Sequence, residues 1–256
     1  MKVVAIIQAR MGSTRLPGKV MKEVLGKPLL EYQIERVKRS KLINKIVVAT
    51  TTKETEQPIV DLCERLSVAY FRGSEDDVLM RFFEASSKYE AEVVVRLTSD
   101  CPLIDPNVID KIIYEYLSNI SLYDYVSNTI ERTYPRGLDI EVFSMKALEQ
   151  SYREARDTVY REHVTPYIYH HPDKFKLAFV KHHIDLSSFR LTVDKEEDLV
   201  LITLLINRLY EKNKEYFTLE DIIYLLQDKP EWVLINSHIE QKEVSKSQIC
   251  NSELED

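Results

Sequence analysis

The sequence predicts an α/β fold with a mostly parallel sheet, and three features of its pattern carry that prediction. Short β-branched runs alternate with longer segments of helical period through the first half of the chain. Those runs read as buried strands, apolar on successive residues rather than on every second one. Glycine is scarce, and all five (Gly12, Gly18, Gly26, Gly73 and Gly137) fall at predicted loops or turns, where a positive φ or a close backbone approach is useful.

In order, strands are expected at Val3–Gln8, Lys45–Thr50, Val68–Phe71 and Val93–Thr98. Between them the helical period spans Pro28–Arg39, Glu56–Leu66 and Asp76–Tyr89, the first with Pro28 at a helix-start position. Asp105-Pro106 is a start signal for a helix reaching about Leu117, with Asp105 as its cap. The second half is less regular. Strands are expected near Tyr125–Asn128, Leu138–Phe143, Phe175–Val180 and Phe189–Val193, and helices at Met145–Arg153, Arg161–His170 and Lys195–Tyr210. Thr218 opens a last helix to Gln227, with Glu220 and Asp221 in its first turn. From about Ser237 the chain is polar and charged and is expected to fray, which gives one domain over residues 1–236 and a tail over 237–256.

Composition removes several function classes. The chain has 256 residues, 44% hydrophobic and 30% charged, enough for one domain with a sizeable core. A formal net charge of -7 argues against a general nucleic-acid binder, which needs a basic surface excess. Three cysteines (Cys63, Cys101 and Cys250) at unrelated spacings make neither a disulfide framework nor a zinc site. The first residues carry only a short apolar run without a cleavage pattern, and no stretch has eighteen uninterrupted apolar residues, so a cytoplasmic protein without a membrane partner is expected.

The first strand runs into Ala9-Arg-Met-Gly-Ser-Thr-Arg-Leu-Pro-Gly-Lys19, which is almost a phosphate loop. A P-loop needs Gly, four residues, then Gly-Lys and a hydroxyl that holds magnesium. Here the spacing from Gly12 to Gly18 is one residue too long, and Val20 stands where the hydroxyl belongs. A strand followed by a loop with Arg10, Gly12, Ser13, Arg15 and Lys19 remains. Arg72 precedes Gly73 and Arg136 precedes Gly137 in the same manner. Each arginine could be merely solvated, but several at strand ends suggest a polyanion site, because ligands of open α/β sheets sit beyond the carboxyl ends of the strands. Guanidinium groups grip phosphate oxygens through paired hydrogen bonds. Two acids sit at comparable places: Asp100 after the strand VVVRLT, and Asp194 after FRLTV, where it is either a site residue or the N-cap of the next helix. Two carboxylates among phosphates would repel them, and a hard cation such as Mg²⁺ between the two resolves the conflict.

IIQARMGSTRLPGKVM resembles the N-terminal signature of the cytidylyltransferases that make CMP-sugars, the CMP-acylneuraminate and CMP-KDO synthetase group. RGSEDDVLMRF, VVRLTSDCPLIDP, PRGLDIEVF, REHVTPYI and LTVDKEEDL are similar to the branch named for spore coat polysaccharide biosynthesis protein F. The resemblance runs in register from Met1 to about Arg208. It implies a Rossmann-like nucleotide-diphospho-sugar transferase fold, a GT-A-like three-layer sandwich. It also implies transfer of CMP from CTP to a sugar or sugar-acid acceptor with release of pyrophosphate, and a homodimer, formed through the irregular segment around Leu138–His171.

By position, the resemblance gives Arg10, Gly12, Ser13, Arg15 and Lys19 the triphosphate, and gives Asp100 and Asp194 the Mg²⁺. Lys19 and Arg15 are the candidates for steadying the leaving group. Cytosine recognition points to Ala9, Arg72, Ser74 and Thr98; Thr98-Ser99 departs from the KDO branch, which has a glutamine shortly before its metal-binding aspartate. The acceptor falls to the second half. Asp139 and Glu141 alternate along a strand with Arg136 at its entrance, forming either an acceptor wall or a solvated face. Arg161, Glu162, His163 and Thr165 cluster at one end of a helix, with His163 either a general base or structural. The pairs His170-His171 and His182-His183 are poor metal ligands, since adjacent side chains diverge. A phosphorylated acceptor and a nucleotide-binding protein without turnover are the alternatives; an excess of acceptor-site arginines would favour the former.

Overall fold

A computed structural model of the chain describes residues 1–211 and 216–240. Among them, one sheet has seven strands: β1 (Val3–Gln8), β4 (Lys45–Thr51), β5 (Ala69–Gly73), β6 (Val93–Thr98), β7 (Tyr125–Ser127), β8 (Glu141–Ser144) and β9 (Leu177–Phe179). Their order is β5-β4-β1-β6-β8-β7-β9. The pairs β5-β4, β4-β1 and β1-β6 are parallel, whereas β8 runs antiparallel to both β6 and β7. A separate hairpin, β2 (Glu23–Val24) and β3 (Lys27–Pro28), turns through Leu25 and Gly26, both at positive φ. That hairpin is absent from the expected elements, because its strands have two residues each and offer no period to read.

The helices are α1 (Leu29–Val37), α2 (Gln57–Arg65), α3 (Val78–Lys88), α4 (Pro106–Ser118), α5 (Met145–Glu154), α6 (Thr158–His163), α7 (Pro166–His170), α8 (Glu196–Tyr210), α9 (Leu219–Asp228) and α10 (Pro230–Val233). Two apolar cores lie on opposite faces of the sheet, and β1 feeds both by strict alternation. Val3, Ala5 and Ile7 join residues of α1, α2, α4, α8 and α9, while Val4 and Ile6 join those of α3, α5 and α7. This three-layer packing explains the unbroken apolar runs: the inner strands β1, β4 and β6 are covered on both sides.

Two expected elements need correction. Phe189–Val193 forms no strand; it lies beside the chain at Arg136 through one isolated bridge, with Arg136 N–H donating to Phe189 (3.1 Å) and Leu191 N–H to Arg136 (2.7 Å). Arg161–His170 is two helices, because Val164 takes φ 72° and no α-helix passes through that conformation. Leu138–His171 holds β8 and the three helices α5 to α7, where a strand and two helices are expected. Of the tail expected from Ser237, residues 237–240 are described, with Ile239 buried and its N–H donating to Asn236 (3.1 Å); the rest, residues 241–256, lies outside the described residues.

Candidate active site

The loop after β1 is folded by its own backbone. Ser13 and Gly18 N–H both donate to the Met11 carbonyl (2.9 and 3.0 Å), and Leu16 N–H donates to Ser13 Oγ (3.3 Å). Buried Glu56 accepts from Met11 N–H (2.9 Å) and Thr50 Oγ1 (3.0 Å), which fixes where the loop leaves the sheet. The amides of Gly12, Thr14 and Arg15 are on exposed residues and meet no acceptor among the described residues. Gly18, at φ 65°, opens a 3-10 turn over Lys19–Met21 that turns Lys19 inward.

At the mouth of the cleft one ammonium joins two carboxylates. Lys19 Nζ donates to Asp100 Oδ2 (3.0 Å) and Asp194 Oδ1 (2.7 Å), and Arg15 meets the same Asp194 oxygen at 2.9 Å. Arg190 holds the other Asp194 oxygen at 3.3 Å. Burial alone would lower the Lys19 pKa, but Asp100 and Asp194 outweigh it and hold the ammonium above its ordinary value. Burial likewise pushes the Asp100 carboxyl up, yet Lys19 and a 2.6 Å hydrogen bond from Thr98 bring it below the usual carboxylate value. Asp194 is not the cap of α8. That work falls to Asp198, which accepts from Asp194 and Lys195 N–H (2.9 and 3.0 Å), leaving the Asp194 side chain to the cleft. Val193 N–H donates to the Asp100 carbonyl (2.8 Å), so the two acids are fastened together through their main chains.

The cleft has a volume of about 620 Å³, a size suited to a nucleotide-sized ligand. Its wall includes Gln8, Ala9, Arg10, Ser13, Thr14, Arg15, Lys19, Thr98, Ser99, Asp100 and Asp194 from one side. Glu75, Asp76, Val78, Arg81, Arg96, Thr158, Glu162 and His163 complete it. Burial lowers the His163 pKa; Glu162 opposes this and Arg96 reinforces it, and the balance favours the neutral imidazole.

A family model described as cytidylyltransferase matches residues 4–244. The chain belongs to the cytidylyltransferase family. It is a nucleotidyltransferase. The cytidylyltransferase is 35% identical to the spore coat polysaccharide biosynthesis protein SpsF of Bacillus subtilis, over 90% of this chain and 95% of that protein. It is 28% identical to the 3-deoxy-manno-octulosonate cytidylyltransferase of Geobacter metallireducens, over 71% of this chain and 79% of that one. The structure of a cytidylyltransferase from Leptospira borgpetersenii serovar Hardjo-bovis is similar with a TM-score of 0.87 and 34% identity, covering 95% of this chain and all of that one.

In this cytidylyltransferase, Ala9, Arg10, Ser13, Arg15, Lys19, Thr98, Asp100, Glu162, His163 and Asp194 share the one cleft. Gly12 stands at its edge, where an added Cβ would lie 3.8 Å from Glu75. Five arginine and acid expectations do not hold for the cleft wall. Arg72 clamps the carbonyls of Thr51, Thr52 and Lys53 at 2.7–3.1 Å. Arg136 lines a separate hollow with Ser187, Phe189 and Asn236. Asp139 pairs with Arg132, and Arg161 pairs with Asp77 and donates to the Tyr152 carbonyl, tying α6 to the start of α3. Glu141 is buried rather than on a solvated face, because β8 is an inner strand, and it is bound to Arg96 and to Tyr125 Oη (2.6 Å). Ser74 is likewise off the wall; its Oγ accepts from Asp77 N–H (3.1 Å).

Sequence reasoning missed Gln8, Thr14, Glu75, Asp76, Val78, Arg81, Arg96, Ser99 and Thr158. Arg96 carried a readable signal, a lone charge inside the apolar run VVVRLT two residues before Thr98 and therefore on the same face. Among the described residues no three His, Cys, Asp or Glu side chains gather as a metal site, and the His182 and His183 rings lie 4.3 Å apart, tilted by 38°, instead of diverging.

Proposed function

We propose that the enzyme transfers CMP from CTP to an acidic sugar and releases pyrophosphate, supplying an activated sugar for a surface polysaccharide. The observation that carries this is the junction of Lys19, Arg15, Asp100 and Asp194 at the mouth of a basic loop. The exposed amides of Gly12, Thr14 and Arg15, with Arg10 and Ser13, receive the triphosphate. Lys19 and Arg15 hold the oxygens that gain charge as pyrophosphate departs; donors fixed in advance for this purpose contribute several kcal/mol each. Neutral His163, on the opposite wall, takes the proton of the attacking hydroxyl.

The residues present suit Mg²⁺. Two carboxylate oxygens already lie within 3.0 Å of one cationic nitrogen, and Mg²⁺ is commonly held by one or two carboxylates together with substrate phosphates. Asp100 and Asp194 would hold it, and when bound it would neutralise charge on the α-phosphate. With the cation on Asp100 and Asp194, the Lys19 ammonium would be free to meet the phosphates.

The distribution of positive charge favours a sugar acid over a phosphorylated acceptor. Arg136 and Arg161 lie outside the cleft, and Arg96 is already paired with Glu141 and shares the cleft lining with Glu162. That end matches a monoanion better than a phosphate dianion. The relationship to SpsF and to the octulosonate enzyme supports the same reading. A homodimer through the segment around Leu138–His171 is part of the proposal.

Thermal unfolding with each of four nucleoside triphosphates, with and without Mg²⁺, tests the nucleotide half. A ligand at about a hundred times its Kd adds roughly 2.7 kcal/mol of stability. CTP with Mg²⁺ is expected to raise the midpoint most. A larger shift with another triphosphate would overturn the choice of CTP, and no shift with any would favour a protein without turnover.

A further inference from the structure

A row of polar side chains from four adjacent strands runs along one face of the sheet; Gln8 and Arg96 line the cleft, and Glu141 and Tyr125 lie buried behind them. Gln8 of β1, Arg96 of β6, Glu141 of β8 and Tyr125 of β7 follow one another across strands. Ile6 pairs with Arg96 and Arg96 with Glu141 in the strand register. Arg96 and Thr98 share a face with Val94, which belongs to the α3–α7 core, so Arg96 lies where that core gives way to the cleft. It is two residues and roughly 6.6 Å back along the strand from Thr98, which bonds Asp100.

The contacts within the row divide the guanidinium. Nε donates to Gln8 Oε1 (3.2 Å), and Nη1 donates to Glu141, whose other oxygen accepts from Tyr125 Oη (2.6 Å). Nη2 meets no protein acceptor among the described residues. The side chain is only 14% exposed, and what is exposed lines the cleft beside Glu162 and His163. Two edges of the fork are fixed and the third is left for a ligand, an arrangement that lysine cannot reproduce.

We propose that Arg96 is the residue that selects the acceptor, its Nη2 donating to the carboxylate of an acidic sugar, with Glu141 and Gln8 acting as positioning residues. This rests on the acidic-sugar reading above. Because Glu141 offsets the guanidinium charge, the site offers a directed donor suited to one planar carboxylate rather than the net positive charge that a phosphate dianion needs. A neutral sugar would leave Nη2 without an acceptor, and a phosphate would bring a second charge towards Glu162 and Glu141.

The test uses the full chain with CTP, Mg²⁺ and a set of acceptors: eight- and nine-carbon 2-keto sugar acids, the corresponding neutral sugars and a sugar 1-phosphate. Pyrophosphate release gives KM for each substrate. With Arg96→Met the acceptor KM is expected to rise at least about tenfold, while the CTP KM and the CTP-induced shift in Tm stay within twofold of the wild type. Arg96→Lys keeps the charge opposite Glu141, guards against loss of folding, and should fall between the two. Glu141→Gln keeps the shape and removes the opposing charge, so the acceptor KM should fall a few-fold even if Tm drops, a sign that a purely structural pair would not give. If the wild type uses a sugar acid and both Arg96 variants keep its KM, the proposal is overturned and the acidic-sugar reading survives. If the wild type uses only the sugar phosphate or a neutral sugar, the reading itself fails, and the proposal with it.

Discussion

At the scale of residues, Lys19 decides the state of the site. Its Nζ sits between the two acids that would hold Mg²⁺, so it acts as their counter-ion until a nucleotide arrives. Two consequences of opposite sign follow for Lys19→Met. Binding of Mn²⁺ to the nucleotide-free protein, read by the loss of its free electron-resonance signal, should tighten about tenfold, because a competing cation is gone. Binding of CTP, read by thermal shift, should weaken about tenfold or more, because a phosphate ligand is gone. Equal Mn²⁺ affinity in both proteins would show that Lys19 does not compete. Asp100→Asn should abolish Mg²⁺-dependent pyrophosphate release and leave far-UV circular dichroism unchanged; unaltered activity would remove Asp100 from the site.

At the scale of elements, the segment that delivers Asp194 is held by a close approach rather than by a strand. Gly137 has φ 99°, and a Cβ there would lie 2.5 Å from the Leu191 carbonyl carbon and oxygen and 2.7 Å from Thr192 N. Only glycine fits, since those neighbours are backbone and cannot rotate away. Gly137→Ala should therefore cost about 2 kcal/mol or more, lowering Tm by at least roughly 4 °C. Because Leu191 and Val193 hang from Arg136 and Asp100 by 2.7 and 2.8 Å bonds, the same change should displace Asp194 and reduce kcat. A variant with a lowered Tm and full kcat would show that Asp194 is placed by Arg190 and Asp198 alone.

At the scale of the whole molecule, the site couples stability to pH through its own ion pairs. Asp100 is held below its ordinary value of 3.8, so its contribution is complete above that pH and is lost as pH falls through its folded pKa. Lys19 is held above 10.5, so its contribution is complete below that pH and is lost as pH rises through its folded pKa. In Lys19→Met the acid limb of a Tm-against-pH profile should begin at higher pH, because the main charge that offsets the burial of Asp100 is gone and the Thr98 hydrogen bond remains, and the alkaline limb should flatten. An unchanged profile would mean that the pair contributes little to folding.

The sequence by itself determined the sheet's parallel core, the loop after β1 and the two acids at strand ends, because each is written in local signals: an apolar run, a glycine that breaks it, a polar residue where it stops. It also carried the family, through motifs spaced along most of the chain. Tertiary structure decided which of the charged residues share a space. Arg72, Arg136 and Arg161 look like Arg10 and Arg15 in the sequence, each beside a glycine or a helix end, yet their partners are backbone carbonyls, another hollow and Asp77. Arg96 looks like a misplaced charge in a buried strand, and only the pairing of β6 with β1 and β8 supplies Gln8 and Glu141 to hold it. The physical reason is range. Strand and loop propensities act over a few residues, whereas the partner that fixes a charged side chain lies across the sheet, and no local pattern records which strand will be its neighbour.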